Sequence, residues 1–459
     1  MKTNSRGLTW IFPLFLLMVC SCDVHKKLAE VHFKQGVKKY DTGDHAGAMT
    51  DFSDAIAQNP KFIDAYLYRG VSYLSLSNYI LATKDFDKVI ELDSHNAPAY
   101  LDRGLARQAL RDFSEAATNF SEAIKLDPDN SDAYKSRGAV RTLLRDWDGA
   151  FADFNEAVRL RSDDPEVYRN RAGLQIMRGE FEAGIADATQ AIELNGQDSI
   201  PYRIRGFGKM RLKDYEGALA DFDDAIKLNP RDADVFAGRG AVRVVEGNLE
   251  AAKADLGTAT RLNPTNLTAR ASLGFVQKKT GDLTGALSTF TNLVRIVSKS
   301  PEVFQSLGYV QNDLFQYAPA LESMRKVIEL DPKMYYPRFR VWLIRVHLGE
   351  KDEATRELSA NIKLRTGEEG HEWQLCIARF LVGDLAETNF LTQATETATR
   401  PTDEAGQQCE SFYYAGMKRL LDGDKTGAIQ LLGKCAASGQ DNYAEYSSAI
   451  VELRELNKP

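Results

Sequence analysis

Ser199–Asp232, SIPYRIRGFGKMRLKDYEGALADFDDAIKLNPRD, is the stretch that decides the fold. Tyr202 and Gly206 stand one helical turn apart, as do Ala218 and Phe222, and Ala225 and Pro230 follow. Displacing the chain by 34 residues brings the same residue types back. Gly returns at Gly36, Gly70, Gly104, Gly138, Gly240, Gly274 and Gly308. Ala returns at Ala48, Ala82, Ala116, Ala150, Ala252, Ala286 and Ala320. The spacing has a physical reading as two helices packed face to face. Gly206 lets the first helix approach the second, where Ala218 leaves room, and Tyr202 and Phe222 fill the space between. Asp214 and Tyr215 mark the turn, and Pro230 cannot continue the second helix.

A period of 34 residues with Gly, Ala-x3-Phe and Pro in these slots resembles the tetratricopeptide repeat (TPR). The resemblance implies an all-α superhelical solenoid of antiparallel helix pairs, each pair stabilised by stacking on its neighbours. Repeats run in register over 29–62, 63–96, 97–130, 131–164, 165–198, 199–232, 233–266, 267–300 and 301–334. The fifth is degenerate, with Ala172 in the Gly slot, Gly184 in the Ala slot and Ala188 in the Phe slot. A tenth unit, 335–368, keeps Ala354 and Leu358 but sets Trp342 where Gly belongs, which predicts a change of packing there. Beyond it, 369–459 reads as a TPR-like helical region. His371–Ala398 forms a helical pair around Gly383-Asp384, and Glu404–Ser438 returns to the repeat pattern with Gly416, Ala428 and Leu432. A final helix from about Tyr443 to Leu456 sets Tyr443, Tyr446, Ile450 and Leu453 on one face, with Glu452, Arg454 and Glu455 on the other. It is expected to cap the last apolar face.

The N-terminus is of another kind. Lys2 and Arg6 precede a mostly apolar run, Leu8–Val19, too short to span a bilayer comfortably. The run ends in Val19-Cys20-Ser21-Cys22-Asp23. Ser21 before Cys22 resembles a bacterial lipobox, which implies a signal peptide over 1–22 and an acylated, palmitate-type membrane anchor on Cys22. Ordinary signal-peptide cleavage nearby, giving a secreted protein, is the rival reading. Residues 23–28 would be a short tether of about 20 Å at most, holding the repeats against the membrane. The expected location is the bacterial cell envelope, facing the periplasm or the cell surface.

An arginine precedes the Gly slot at Arg69, Arg103, Arg137, Arg171, Arg205 and Arg239. The same repeats carry Asp85, Asn119, Asp153, Asp187, Asp221 and Asp255 before the Phe slot, and repeats eight to ten lose the arginine. Coupled gain and loss predicts Arg–Asp pairs between packed helices, with an anion-binding ladder as the alternative. The TPR resemblance further implies an inner face lined by the second, fifth, ninth, twelfth and thirteenth residues of each first helix. There the chain offers Phe33, Leu67, Leu101, Arg169, Arg203, Phe207, Phe275, Tyr309, Phe339 and Leu343. Such an apolar stripe with a few arginines suits a protein or peptide partner. The Lys and Asn set that clamps a terminal carboxylate in chaperone-binding TPR domains is replaced by Leu67/Val71 and Leu101/Leu105. Cys409 and Cys435 occupy slots filled elsewhere by facing small residues, so they form a candidate disulfide or a buried thiol pair, with Cys376 left unpaired.

The sequence holds no HExxH, no G-x-S-x-G, no phosphate-cradling glycine loop and no CxxC. No catalytic residue, cofactor, metal or small-molecule substrate is expected, and a net charge of −7 argues against nucleic acid as the partner. A weaker resemblance covers about 371–456. The run FYYAGMKRLLDGDKTGAIQLLGKCAASGQDNYAEYSSAIVELREL is similar to the C-terminal region of bacterial TPR lipoproteins of the NlpI type, although this chain has many more repeats. That resemblance implies a non-catalytic, membrane-tethered adaptor for envelope proteins, such as peptidoglycan hydrolases or a protease. The alternatives are a pilotin-like assembly factor for a secretion, pilus or outer-membrane complex, and an enzyme module within 369–459.

Overall fold

The computed structural model describes residues 11–365, 370–398 and 400–458, with side chains from Val24 onward. The described residues form twenty-five α-helices, from α1 (Ile11–Asp41) to α25 (Ala444–Leu456), with no strand among them. Through the tenth repeat, each unit contributes two helices to an antiparallel pair.

The local chemistry of each pair follows the repeat. At the sixteenth slot an Asp caps the second helix by accepting a backbone N–H. The distances are 2.8 Å for Asp44 with Gly47, 3.1 Å for Asp146 with Gly149 and 3.0 Å for Asp214 with Gly217. The fifteenth slot, just before it, is left-handed in every one of the ten repeats. Glycine fills it at Gly43, Gly179, Gly247, Gly281 and Gly349, but Ser77, Arg111, Arg145, Lys213 and Phe315 fill the rest. A Cβ added to Gly206 would lie 2.7 Å from Cε1 of Phe222, so the glycine is required by the ring. Burying one such ring contributes about 2–3 kcal/mol. In the fifth repeat the exchange of small and large is reversed. Ala172 replaces the glycine, Ala188 replaces the ring, and a Cβ on Gly184 would meet Ile176 at 2.7 Å.

The arginine ladder is structural. Arg69 makes a forked pair with Asp85 at 2.8 and 2.7 Å, and its third nitrogen reaches Ser53 of the preceding repeat at 3.1 Å. Arg137 repeats this with Asp153 and Ser121, Arg171 with Asp187 and Asn155, and Arg205 with Asp221 and Thr189. Where Asn119 replaces the acid, Arg103 takes a carboxylate from the preceding repeat instead, Asp87 at 2.6 Å. A tyrosine three residues earlier packs against each of these guanidiniums, as Tyr66 does at 5.5 Å from Arg69. Each arginine thus ties two successive second helices together, and no ligand is needed to account for it. In repeats eight and nine, amide–hydroxyl pairs Gln277–Thr289 and Gln311–Ser323 take its place.

The chain divides into two compact units between Leu228 and Asn229. The first holds the helix pairs through α12 (Tyr215–Leu228), and the second holds α13 (Ala233–Val245) onward. The sequence reading treated the nine repeats as one array with a boundary at 335. Within the second unit the C-terminal helices pack back on repeats eight to ten. Trp342 marks the change of packing expected of it: buried, with its indole donating to Thr355 at 3.2 Å. It joins one core with Phe339, Trp373, Phe380, Phe390, Tyr413 and Tyr414. This core is shared by α19 (Tyr336–His347), α20 (Lys351–Arg365), α21 (Glu372–Val382), α22 (Glu387–Glu396), α23 (Pro401–Leu421) and α24 (Lys425–Ala437). The helical pair around Gly383, which has φ 95°, and the returning repeat lie where the sequence placed them.

Candidate functional site

In the N-terminal unit the expected groove residues Phe33, Leu67, Leu101, Arg169, Arg203 and Phe207 are all half-buried. They divide into two chemistries. Phe33 joins an aromatic cluster, with ring centroids 4.9 Å from Phe62 and 5.5 Å from Tyr68, and Tyr68 lies 5.6 Å from Tyr40. Leu67, Leu101 and the 37% exposed Leu105 continue this apolar face along the first helices. Farther along, the face becomes ionic. Arg169 pairs with Asp198 at 2.8 Å and Arg203 is also engaged within the chain. Lys135, in the same fifth slot, was missed by the sequence reading. It is held by Asp132 at 3.0 Å, Asp164 at 2.9 Å and Glu166 at 3.1 Å. Arg161 closes the network on Asp132 and Asp164 at 2.7 and 2.6 Å. Burial alone would raise Asp164, but the bonds from Lys135 and Arg161 outweigh it and hold the carboxyl below its usual range. Lys135, Arg161 and Arg169 are thus paired with acids of their own or the next repeat. The apolar slots carry the unsatisfied surface.

The C-terminal unit differs. Helix α25 crosses the inner face of α15 (Leu267–Lys279), α17 (Pro301–Asp313) and α19, where it touches the sixth, ninth, twelfth and thirteenth slots. Ser448 donates to Asp313 at 2.7 Å, and Lys279 pairs at 2.9 Å with Asp441, just before the helix. Glu445 accepts from Tyr414 at 3.0 Å and meets Arg340 at 3.4 Å. One groove expectation, Phe339, is corrected by this, and the Tyr309 and Phe275 slots acquire neighbours of the chain's own. Phe339 is 1% exposed and belongs to the core; Tyr309 is packed between Lys278 and Arg340, at 5.1 and 5.0 Å. Phe275 remains 43% exposed but lines a 130 Å³ cavity closed on its other side by Tyr443 and Ser447. The capping expectation changes too. Glu445, Ser448, Ala449 and Glu452 form the buried face of α25, so Glu452 lies inside although the pattern placed it with the charged face.

What makes a polar helix face acceptable here is a buried cation that the repeat pattern does not encode. Arg340, in the sixth slot of the tenth repeat, is fully buried, hydrogen-bonds the Tyr413 hydroxyl and lies 4.6 Å from that ring. Glu410, Glu445, Glu452 and Asp313 surround it, all buried. Burial and then the neighbouring carboxylate of Glu445 push Glu410 up to about 8, while burial and Asp313 push Glu452 up to about 7. The hint in the sequence was an arginine interrupting the aromatic run Tyr335–Trp342.

Cys409 and Cys435 do face each other, as the slots imply. Both are buried free thiols with sulfurs 3.1 Å apart, so the disulfide is not formed in this structure. Their shared hydrogen bond lowers the Cys409 thiol and raises that of Cys435. Cys376 is likewise free and donates to Gln393 at 2.6 Å. Residues 1–10 of the expected signal peptide lie outside the described residues, as do the side chains through Asp23, Cys22 included. Residues 24–28, expected as a tether, continue α1. No described helix is long and apolar enough to cross a membrane, and no group of three or more His, Cys, Asp or Glu among the described residues could hold a metal.

Two tetratricopeptide-repeat family models match the chain, one over residues 101–165 and the other over 301–334. The chain is a tetratricopeptide-repeat protein. Among solved structures it is similar to a tetratricopeptide repeat protein from Parabacteroides merdae, at 16% identity over 55% of this chain and 99% of that one, with a TM-score of 0.45. It is also similar to pilF of Pseudomonas aeruginosa, at 19% identity over 45% and 94%, with a TM-score of 0.41. A third is YrrB, a TPR protein with an unusual peptide-binding site, at 21% identity over 41% and 96%, with a TM-score of 0.35. TPR arrays are protein-interaction scaffolds. In this TPR protein the two inner faces are unequal.

Proposed function

We propose that this TPR protein is a non-catalytic adaptor that binds a segment of an envelope protein along the inner face of its N-terminal unit. The observation that carries the reading is the contrast in cover. Leu67, Leu101, Leu105 and Phe207 keep apolar surface half-open, while in the C-terminal unit Phe339 is drawn into the core and Tyr309 is packed between Lys278 and Arg340 beside α25. An apolar, aromatic-edged face with self-neutralised cations at one end suits an extended or helical peptide with apolar anchors. The membrane tether rests on Ser21-Cys22: acylation of Cys22 would hold the scaffold at the envelope, where peptidoglycan hydrolases or a protease would be its clients.

Photo-crosslinkers at Leu101 and Phe207 test the groove in cells, with Tyr309 as the covered face and Lys125 on a second helix as control. Capture of a peptidoglycan hydrolase or an envelope protease from Leu101 and Phe207 alone is expected. Equal capture at all four sites would remove the groove from the reading. The tether is tested separately by mass spectrometry of the mature N-terminus. Cys22→Ala should abolish the acyl mass and release the protein from membranes, and an unmodified wild-type cysteine would overturn the anchor.

A further inference from the structure

A second concavity of different chemistry lies in the C-terminal unit. A hollow of about 400 Å³ is lined by Tyr336, Trp373, Glu410, Glu372, Asp403 and Tyr443, with small and amide side chains completing it. No lysine or arginine is among its described lining residues. Its innermost group is Glu410, which is 3% exposed. One carboxyl oxygen, Oε2, accepts from the Trp373 indole at 2.5 Å and from the Tyr336 hydroxyl at 3.3 Å. Those bonds fix the carboxyl in one orientation. The other oxygen, Oε1, accepts from no group, and it is not among the buried atoms sealed away from solvent. The little surface Glu410 retains is therefore on the hollow.

The geometry points to this hollow as a binding site for an alkylammonium group, with Glu410 as its counter-ion. Asp403 is answered from outside the hollow by Arg400 at 2.9 Å, but Glu372 and Glu410 face it with no lysine or arginine among its described lining residues, so it favours positive charge over anions. Once Glu410 ionises, Oε1 is a free acceptor at the bottom, and the walls of Tyr336, Trp373 and Tyr443 suit a short alkyl stem. An ammonium has three donors and no acceptor, which matches the carboxylate oxygens of Glu410 and Glu372 on the wall.

The charges around Glu410 set a proton linkage. Glu445 faces it from α25, Glu372 from α21, and Cys409 and Asp403 lie on its own helix, with Tyr336 on α19 and Tyr443 just before α25. Arg340 of α19 is committed to Glu445 and Tyr413. Burial and the Glu445 carboxylate hold Glu410 protonated up to about pH 8 in the open hollow. An entering ammonium keeps its own proton, and Glu410 releases one to solvent as the ion pair forms. Binding therefore tightens as pH rises toward about 8 and levels off above it.

The test uses the full-length protein and the indole N–H resonance of Trp373, assigned by its loss in Trp373→Phe. Titration with n-butylammonium should give a saturable shift of that resonance, and 1-butanol, of the same length and neutral, should bind at least about tenfold more weakly. Glu410→Gln keeps the shape and can still accept from Trp373, so the indole resonance stays dispersed. Its n-butylammonium affinity should fall at least about tenfold and lose its rise between about pH 6 and pH 8. Equal affinity for butanol, an unchanged affinity in Glu410→Gln, or no saturable shift with n-butylammonium would each overturn the proposal. Nα-acetyl-lysine methylamide, run in parallel, separates the sources. Binding with a similar shift assigns the site to a protein lysine, and binding of n-butylammonium alone assigns it to a free amine.

Discussion

The two inner faces are built from the same slots of the same repeat, yet one keeps its apolar side chains in reach of solvent and the other lies beneath a helix of its own chain. In the N-terminal unit, cations in the fifth slot such as Lys135 and Arg169 are answered by acids of neighbouring slots, and Leu67, Leu101 and Leu105 are left uncovered. In the C-terminal unit, Lys278, Lys279 and Arg340 are answered by α17, α25 and the segment before it. A TPR groove with unsatisfied charge takes a complementary segment. Here the chain supplies that segment to the C-terminal face, and the N-terminal face answers its own charges from neighbouring slots.

The largest effect should come from removing the cation that anchors α25. Arg340→Met leaves Glu445 buried with no positive charge, a type of change that costs about 3–5 kcal/mol. The urea midpoint should fall accordingly, and the amides of α25 should exchange as though detached. Lys278 and Tyr309 would then be uncovered, and binding of an apolar dye should rise above that of the wild type. Should α25 stay protected in this variant, Arg340 would not be its anchor.

The next effect is redox-dependent. Oxidation of the Cys409–Cys435 pair would link α23 to α24, the two helices against which α25 rests. Closing a loop of that length stabilises by about 3 kcal/mol in the chain-entropy view. A higher melting temperature is expected under oxidising conditions in the wild type and not in Cys409→Ala, with the bond itself read by non-reducing peptide mass. Two freely alkylating thiols after mild oxidation would rule the pair out as a disulfide.

A smaller effect follows from protons. Glu410 and Glu452 have folded values near 8 and 7, above the unfolded glutamate value of about 4.3. A carboxyl raised on folding favours the folded state fully below the unfolded value, and the contribution is lost as pH rises through the folded one. The C-terminal unit should therefore weaken from about pH 4.5 to about pH 8, read as a falling urea midpoint. Glu452→Gln should flatten that slope. The N-terminal acids Asp132 and Asp164 are lowered instead, so their contribution is present above the unfolded value of about 3.9 and lost as pH falls below it. Opposite pH slopes in hydrogen exchange of α25 and of α9 (Pro165–Arg178) would be the signature.

What the sequence made legible was whatever recurs. Gly206 and Phe222 report a contact repeated along the chain, and Arg69 with Asp85 shows its pairing by disappearing together with its partner. Arg340 occurs once, in a slot filled by Tyr68, Asp102 or Ser136 elsewhere, so no period could reveal it. The same limit hid Glu452, whose neighbours in sequence read as a solvated helix face. Only the position of α25 against Asp313 and Arg340 makes it a buried acid. Phe339 was expected on the groove and lies in the core, because a slot in the repeat does not say what covers it.

The smallest effect tests the repeat itself, away from both faces. The fifteenth slot is left-handed in every repeat, and Lys213 occupies it with φ 65°. A residue with a Cβ in that region carries a cost of roughly 1 kcal/mol that glycine avoids, offset in part by the greater freedom glycine has when unfolded. Lys213→Gly should therefore stabilise the N-terminal unit by a few tenths of a kcal/mol up to about 1 kcal/mol, read as a shift in urea midpoint. Lys213→Val, branched at the strained position, should destabilise it by more than that. Neither should move the exchange of α25, because the turn belongs to the other unit. If Lys213→Gly lowered stability instead, the left-handed turn would be held by something the lysine side chain provides, and the recurrence of non-glycine residues at Ser77, Arg111, Arg145 and Phe315 would have its reason.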